Sequence, residues 1–93
     1  MSEKLTPREI AELKARAHSL NPVVMIGQHG LTESVIKETD AALKAHELIK
    51  VRVLGDDRQE RIAICEALCG AVDAQLVQHI GKLLVLWREN TED

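Results

Sequence analysis

The chain has 93 residues, with 12 Lys or Arg against 15 Asp or Glu and a formal net charge of −3. That length fits one domain and not two, and 45% hydrophobic residues are too many for a disordered chain. Mild acidity argues against a blanket polyanion binder, and a single aromatic residue, Trp87, excludes a platform that stacks a row of bases. No run approaches the roughly 18 apolar residues of a membrane span. The polar start MSEKLTPREI is unlike a secretory leader, so a cytoplasmic protein is expected.

Thr6-Pro7-Arg8-Glu9 predicts a helix start: a Thr-x-x-Glu capping box with Pro at the first helical position. Leu5 and Ile10 fit a hydrophobic staple. Ile10, Leu13, Ala17 and Leu20 form an apolar stripe, with Lys4, Arg8, Lys14 and Arg16 mostly off it. The helix must end before Asn21-Pro22. Val23 to Ile26 reads as a buried strand, and Gly27-Gln28-His29-Gly30 follows as a loop. Thr32 is an N-cap for a second helix running to about His46, with Val35, Ile36, Thr39 and Leu43 inward.

From Leu48 to Leu54 the pattern alternates. Ile49, Val51 and Val53 share one face, and Lys50 and Arg52 the other, which predicts a strand with a basic outer face. Asp57 with Glu60 repeats the capping-box spacing, and Ile62, Cys65, Leu68, Cys69 and Val72 carry a third helix inward. Gln75–Ile80 and Leu83–Trp87, joined by Gly81-Lys82, read as a hairpin. Trp87 reads as an edge-strand residue covering the rim of the core. Residues 89–93 are a short acidic tail. The order α-β-α-β-α-β-β suggests an α/β domain in which helix-separated strands pair in parallel and the hairpin adds an antiparallel pair.

Chemistry is sparse. Cys65 and Cys69, four apart, lack the further ligands a zinc site needs and read as small core residues. No serine lies in a nucleophile elbow, no P-loop lysine follows the glycines, and the four histidines have no ligand spacing. No enzyme is expected. The informative motif is Gly27-Gln28-His29-Gly30. Glycines let a ligand approach the backbone, and the following helix start favours an anion; such loops clamp RNA backbone in KH domains. Residues 1–55 carry 8 basic and 7 acidic residues, net +1, against 4 and 8, net −4, in residues 56–93. The half holding the loop is therefore the better polyanion surface.

Four ordered segments resemble a known family: Leu20-Asn21-Pro22-Val23-Val24 with Ile26-Gly27-Gln28-His29-Gly30-Leu31-Thr32, then His46-Glu47-Leu48-Ile49-Lys50-Val51, Val77-Gln78-His79-Ile80-Gly81-Lys82, and Leu84-Val85-Leu86-Trp87-Arg88. Over about residues 5–88 the chain is similar to the YhbY-type stand-alone CRM domain, an RNA-binding module of chloroplast splicing factors and ribosome maturation proteins. The resemblance implies a compact α/β domain like the C-terminal domain of translation initiation factor three, with a four-stranded mixed sheet packed by helices. It implies binding of ribosomal or pre-ribosomal RNA during large-subunit assembly, with no cofactor, no metal and no small-molecule substrate, by a protein expected to be a monomer.

Carried over by position, Gly27 and Gly30 would open the loop backbone to phosphate, and Gln28, His29 and Thr32 would add contacts. Lys50 and Arg52 fall at basic strand positions, Lys82 follows the hairpin glycine, and Lys14 adds charge from the first helix. Many relatives carry Lys or Arg between the glycines where this chain has Gln28 and His29, and some have basic C-terminal extensions where it has Glu89 to Asp93. A competing reading is a protein-interaction module that docks on a ribosomal protein or assembly factor, offering Leu83–Trp87 as an edge strand.

Overall fold

The computed structural model describes residues 5–89, so residues 90–93 of the expected acidic tail lie outside it. The elements are α1 (Pro7–Ala17), β1 (Val24–Ile26), α2 (Glu33–His46), β2 (Leu48–Val53), α3 (Arg58–Val72), β3 (Gln75–Ile80) and β4 (Leu83–Trp87). The order is the one expected from the sequence.

Each helix begins at the cap the sequence announces. Thr6 Oγ1 accepts the Glu9 N–H at 3.2 Å while Glu9 Oε1 accepts the Thr6 N–H at 3.0 Å. Thr32 Oγ1 accepts from Val35 N at 3.2 Å, and Asp57 Oδ1 from Gln59 N at 2.9 Å. Each cap satisfies an amide that has no partner within its helix. α1 ends sooner than Asn21-Pro22 requires. His18 N–H turns back to the Ala15 carbonyl, Leu20 N–H to Ala17, and the Ser19 hydroxyl to Arg16. These i→i+3 bonds tighten the last turn, and Leu20 reaches the core from the turn rather than from the helix.

The sheet runs β1-β2-β4-β3, with β1 parallel to β2 and the other pairs antiparallel. β4 is thus an interior strand, paired on both sides, and Trp87 does not sit on an edge strand. Five consecutive residues, Leu83–Trp87, align with Arg52–Leu48, which buries the most apolar strand where both of its edges are used. The edges are β1 and β3. β3 carries a bulge between Leu76 and Gln78, which is why its alternation reads weakly in sequence.

Two cores lie on the two faces. On one, Val24, Ile26, Ile49, Val51, Val53, Leu84 and Leu86 pack against Leu43 of α2 and Cys65, Leu68 and Val72 of α3. On the other, Leu48, Val77 and Val85 meet Leu13 and Ala17 of α1. The run Val23–Ile26 is therefore not wholly buried: Val24 and Ile26 point inward, while Met25 is 59% and Val23 49% exposed. Ile62 also departs from expectation. The inner face of α3 centres on Leu68, so Ile62 falls at its margin and Ile64 packs against the core instead.

Candidate nucleic-acid interface

β1 ends at Ile26, and the chain reverses at once. Gly30 N–H donates to the Gly27 carbonyl at 3.0 Å, closing a four-residue turn with exposed Gln28 and His29 at its tip. The two glycines serve different ends. Gly30 has φ +69°, a left-handed conformation that favours glycine. Gly27 has no positive φ, and nothing lies within 4 Å of where its Cβ would be. The fold does not need glycine at position 27, so that residue leaves an open backbone surface.

The turn does not run directly into α2. Leu31 and Thr32 intervene, Leu31 packing against the core and Thr32 capping the helix. The hydroxyl of Thr32 accepts the Val35 N–H, which leaves its proton available to donate to another partner. Past the turn, the Leu54 N–H donates to the Ile26 carbonyl and the Val53 N–H to the Lys82 carbonyl, at 2.9 and 2.8 Å. The glycine turn, the Gly55-Asp56-Asp57 turn and the hairpin turn therefore share one end of the sheet.

Charge around the turn is uneven. On its α3 side a cleft of about 350 Å3 is lined by Gly27 and Gln28 of the turn itself together with Asp57, Glu60 and Arg61. Arg61 Nη1 donates to the Gly55 carbonyl at 3.0 Å, and Lys82 Nζ lies 3.3 Å from Asp56 Oδ1. Carboxylates thus border that side and discourage phosphate there. On the sheet face covered in part by α1, Lys50 and Arg52 project beside Leu48, with Arg52 exposed. Lys14 is half-buried on α1, on the same side of the sheet but away from the turn. The structure thus brings Gly27, Gln28, His29, Gly30, Thr32 and Lys82 to one end and sets Lys50 and Arg52 along the adjoining face.

The cysteines belong to the core. Cys65 is buried and Cys69 half-buried, both free. A hydrogen bond from Cys69 lowers the Cys65 thiol, and the same bond together with burial pushes Cys69 up, away from reactive thiolate chemistry. Among the described residues, no group of three or more His, Cys, Asp or Glu could hold a metal, and no helix is long and apolar enough to cross a membrane.

Comparison with known proteins agrees with this architecture. A Haemophilus influenzae protein named RNA-binding protein is 48% identical, over 95% of this chain and 89% of its own length. The Bacillus subtilis protein named Probable RNA-binding protein YqeI is 38% identical, over 96% and 93% respectively. The solution structure of the hypothetical protein SAV1595 from Staphylococcus aureus superposes with a TM-score of 0.83 at 37% identity, covering 97% of this chain and 94% of that one. The profile of the CRS1 / YhbY (CRM) domain matches residues 5–88, and the chain belongs to that family.

Proposed function

We propose that this chain is an RNA-binding protein that grips phosphate through the Gly27–Gly30 turn and acts on precursors of the large ribosomal subunit. The observation that carries the reading is Gly27. Neither its φ nor its packing calls for glycine, and a ligand laid against the backbone does. Family membership and the names of the relatives support RNA as the ligand. With one aromatic residue in the chain, recognition rests on phosphate position and RNA shape rather than on stacked bases.

The chain works in this reading as a monomeric binding factor in the cytoplasm, without catalysis. Gly27→Asp tests the turn by placing a carboxylate where phosphate should lie, at a position where a side chain has room. The variant should fold as the parent does and bind ribosomal RNA fragments at least tenfold more weakly, as a like charge replaces a charge-assisted contact. Equal affinity would sink the turn as the site. Sedimentation of tagged protein across a ribosome gradient, with RNA crosslinking, tests the assembly role. The docking alternative, with the last strand as an open edge, has lost its premise because β4 pairs on both sides.

A further inference from the structure

At the other end of β1 from the glycine turn lies a second cleft, of about 590 Å3, between the last turn of α1 and the start of β2. Arg16, Ser19, Asn21, His46 and Lys50 give it a polar wall, and Val23 is part of its apolar floor. No carboxylate is among its lining residues. A helix C-terminus would ordinarily repel an anion. Here the carbonyls of Arg16 and Ala17 are already occupied, by the Ser19 hydroxyl at 3.2 Å and the Leu20 N–H at 3.0 Å.

The two sites are joined by an open track. Val23 and Gly27 are four residues apart on nearly extended chain, which spans ~13 Å at ~3.3 Å per residue. Between them Met25 stands 59% exposed, and it pairs in register with Arg52. Val23 and Met25 share their side of the sheet with Lys50 and Arg52, since Val24 and Ile26 face the other way. Two exposed aliphatic side chains thus lie beside two cations, between a cationic cleft and an open glycine. The fold gives no packing reason for leaving Val23 and Met25 exposed. A nucleic-acid strand supplies one: sugar faces lie on the aliphatic side chains while phosphates meet the cations. The carboxylates on the α3 side of the turn steer the strand toward this track.

We propose that the cleft of Arg16, His46 and Lys50 is a second phosphate subsite, holding the same single RNA strand that the glycine turn holds at its other end. The proposal rests on the RNA reading and extends it by a site and a path.

The test uses the full chain and a fluorescent oligouridine of about 12 nucleotides, a length within the footprint of small single-strand-binding domains. In amide-detected NMR titrations, residues 16–23 and 46–50 should shift together with residues 27–30. Arg16 and His46 are exposed, so Arg16→Gln and His46→Gln should leave the fold intact. Each should weaken binding about three- to tenfold. The double variant should flatten the salt slope by about 0.7, the share of the one phosphate that Arg16 neutralises. Arg8→Gln, at the far end of α1, should change affinity less than twofold. Shifts confined to residues 27–32, with parental affinity and salt slope in the double variant, would overturn the subsite while leaving the turn as an RNA site. Failure of the parent to bind RNA at all would overturn both.

Discussion

The guanidinium of Arg88 donates from Nη1 to Oδ1 of Asp40 at 2.7 Å, from Nη2 to the Asp40 carbonyl at 3.2 Å, and from Nη1 to the carbonyl of Val72 at 2.8 Å. One side chain just past β4 therefore ties α2 to the last residue of α3, where a cation also answers the helix dipole. Arg88 is only 16% exposed, against 38% for Asp40, so the bond is partly shielded from water. It closes both helices over the sheet on the face opposite α1.

Arg88→Met should cost about 1–2 kcal/mol, more than an exposed ion pair and less than a buried one. The effect depends on pH. The Arg88 hydrogen bond holds the Asp40 carboxyl below the usual carboxylate range, with Lys44 contributing and partial burial opposing. A carboxyl depressed in the folded state adds stability above its unfolded value and loses it as pH falls through the folded one. The gap between parent and Arg88→Met should thus be widest near neutral pH and narrow below about pH 4. Urea melts at several pH values read this directly, and a constant gap would contradict the assignment.

The two turn glycines should separate in a paired substitution. Gly27→Ala relieves unfolded-chain entropy at an unstrained position, so stability should hold or rise by up to about 0.5–1 kcal/mol. Gly30→Ala forces a side chain to φ +69° and should lower stability by roughly 1–2 kcal/mol. RNA affinity should fall in Gly27→Ala even though its stability does not. Thermal melts and RNA titration on the two variants check both halves.

What was readable in the sequence was what short segments decide. Thr6, Thr32 and Asp57 cap helices through bonds spanning two or three residues, and local spacing encodes those. The basic outer face of β2 followed from period-two alternation. The central place of β4 did not follow, because pairing with residues more than thirty positions away leaves no local mark. Nor did the link from Arg88 to Asp40, 48 residues apart. Val23 to Ile26 is apolar at every position, so periodicity could not show that Met25 faces out. Gly27 and Gly30 look alike in sequence because φ is not written there; only the backbone separates a glycine the turn needs from one it does not.

Asp73 follows the last residue of α3 in a left-handed conformation, φ 55° and ψ 46°, with its N–H on the Cys69 carbonyl. Glycine adopts this C-cap without a Cβ penalty, and a carboxylate at a helix C-terminus opposes the dipole. Asp73→Gly should therefore stabilise the fold by about 0.5–1 kcal/mol. Asp73 lines neither cleft, so RNA affinity should change less than twofold. A lowered melting temperature would show that the side chain has a structural role.

Salt dependence should report the number of phosphates held. Contacts at the turn, along Lys50 and Arg52 and in the second cleft suggest roughly 3–5, hence a slope of about −2 to −4 in log affinity against log salt. Arg52→Gln should weaken binding evenly across RNA sequences and flatten that slope by about 0.7. A change in sequence preference without a change in slope would mean that Arg52 reads bases instead of phosphate.

Asp56 offers a test in which affinity rises. Its carboxylate is fully exposed and lies 3.3 Å from Lys82 Nζ, at the end of the sheet that carries the glycine turn. An exposed pair of this kind adds little to stability. It does draw one cation away from a passing phosphate and sets a negative charge near it. Asp56→Asn removes the charge, frees Lys82 and leaves the Asp57 cap in place. At roughly 8 Å in water a unit charge contributes about 0.5 kcal/mol, so RNA affinity should rise about twofold at low salt. The gain should fade as added salt shortens the screening length below that distance. Lys82→Gln should lower affinity, and in its background Asp56→Asn should recover only the repulsive share of the gain. If Asp56→Asn left RNA affinity unchanged at low salt, phosphate would not pass near Lys82, and the contact surface would be confined to the turn and the β1 track.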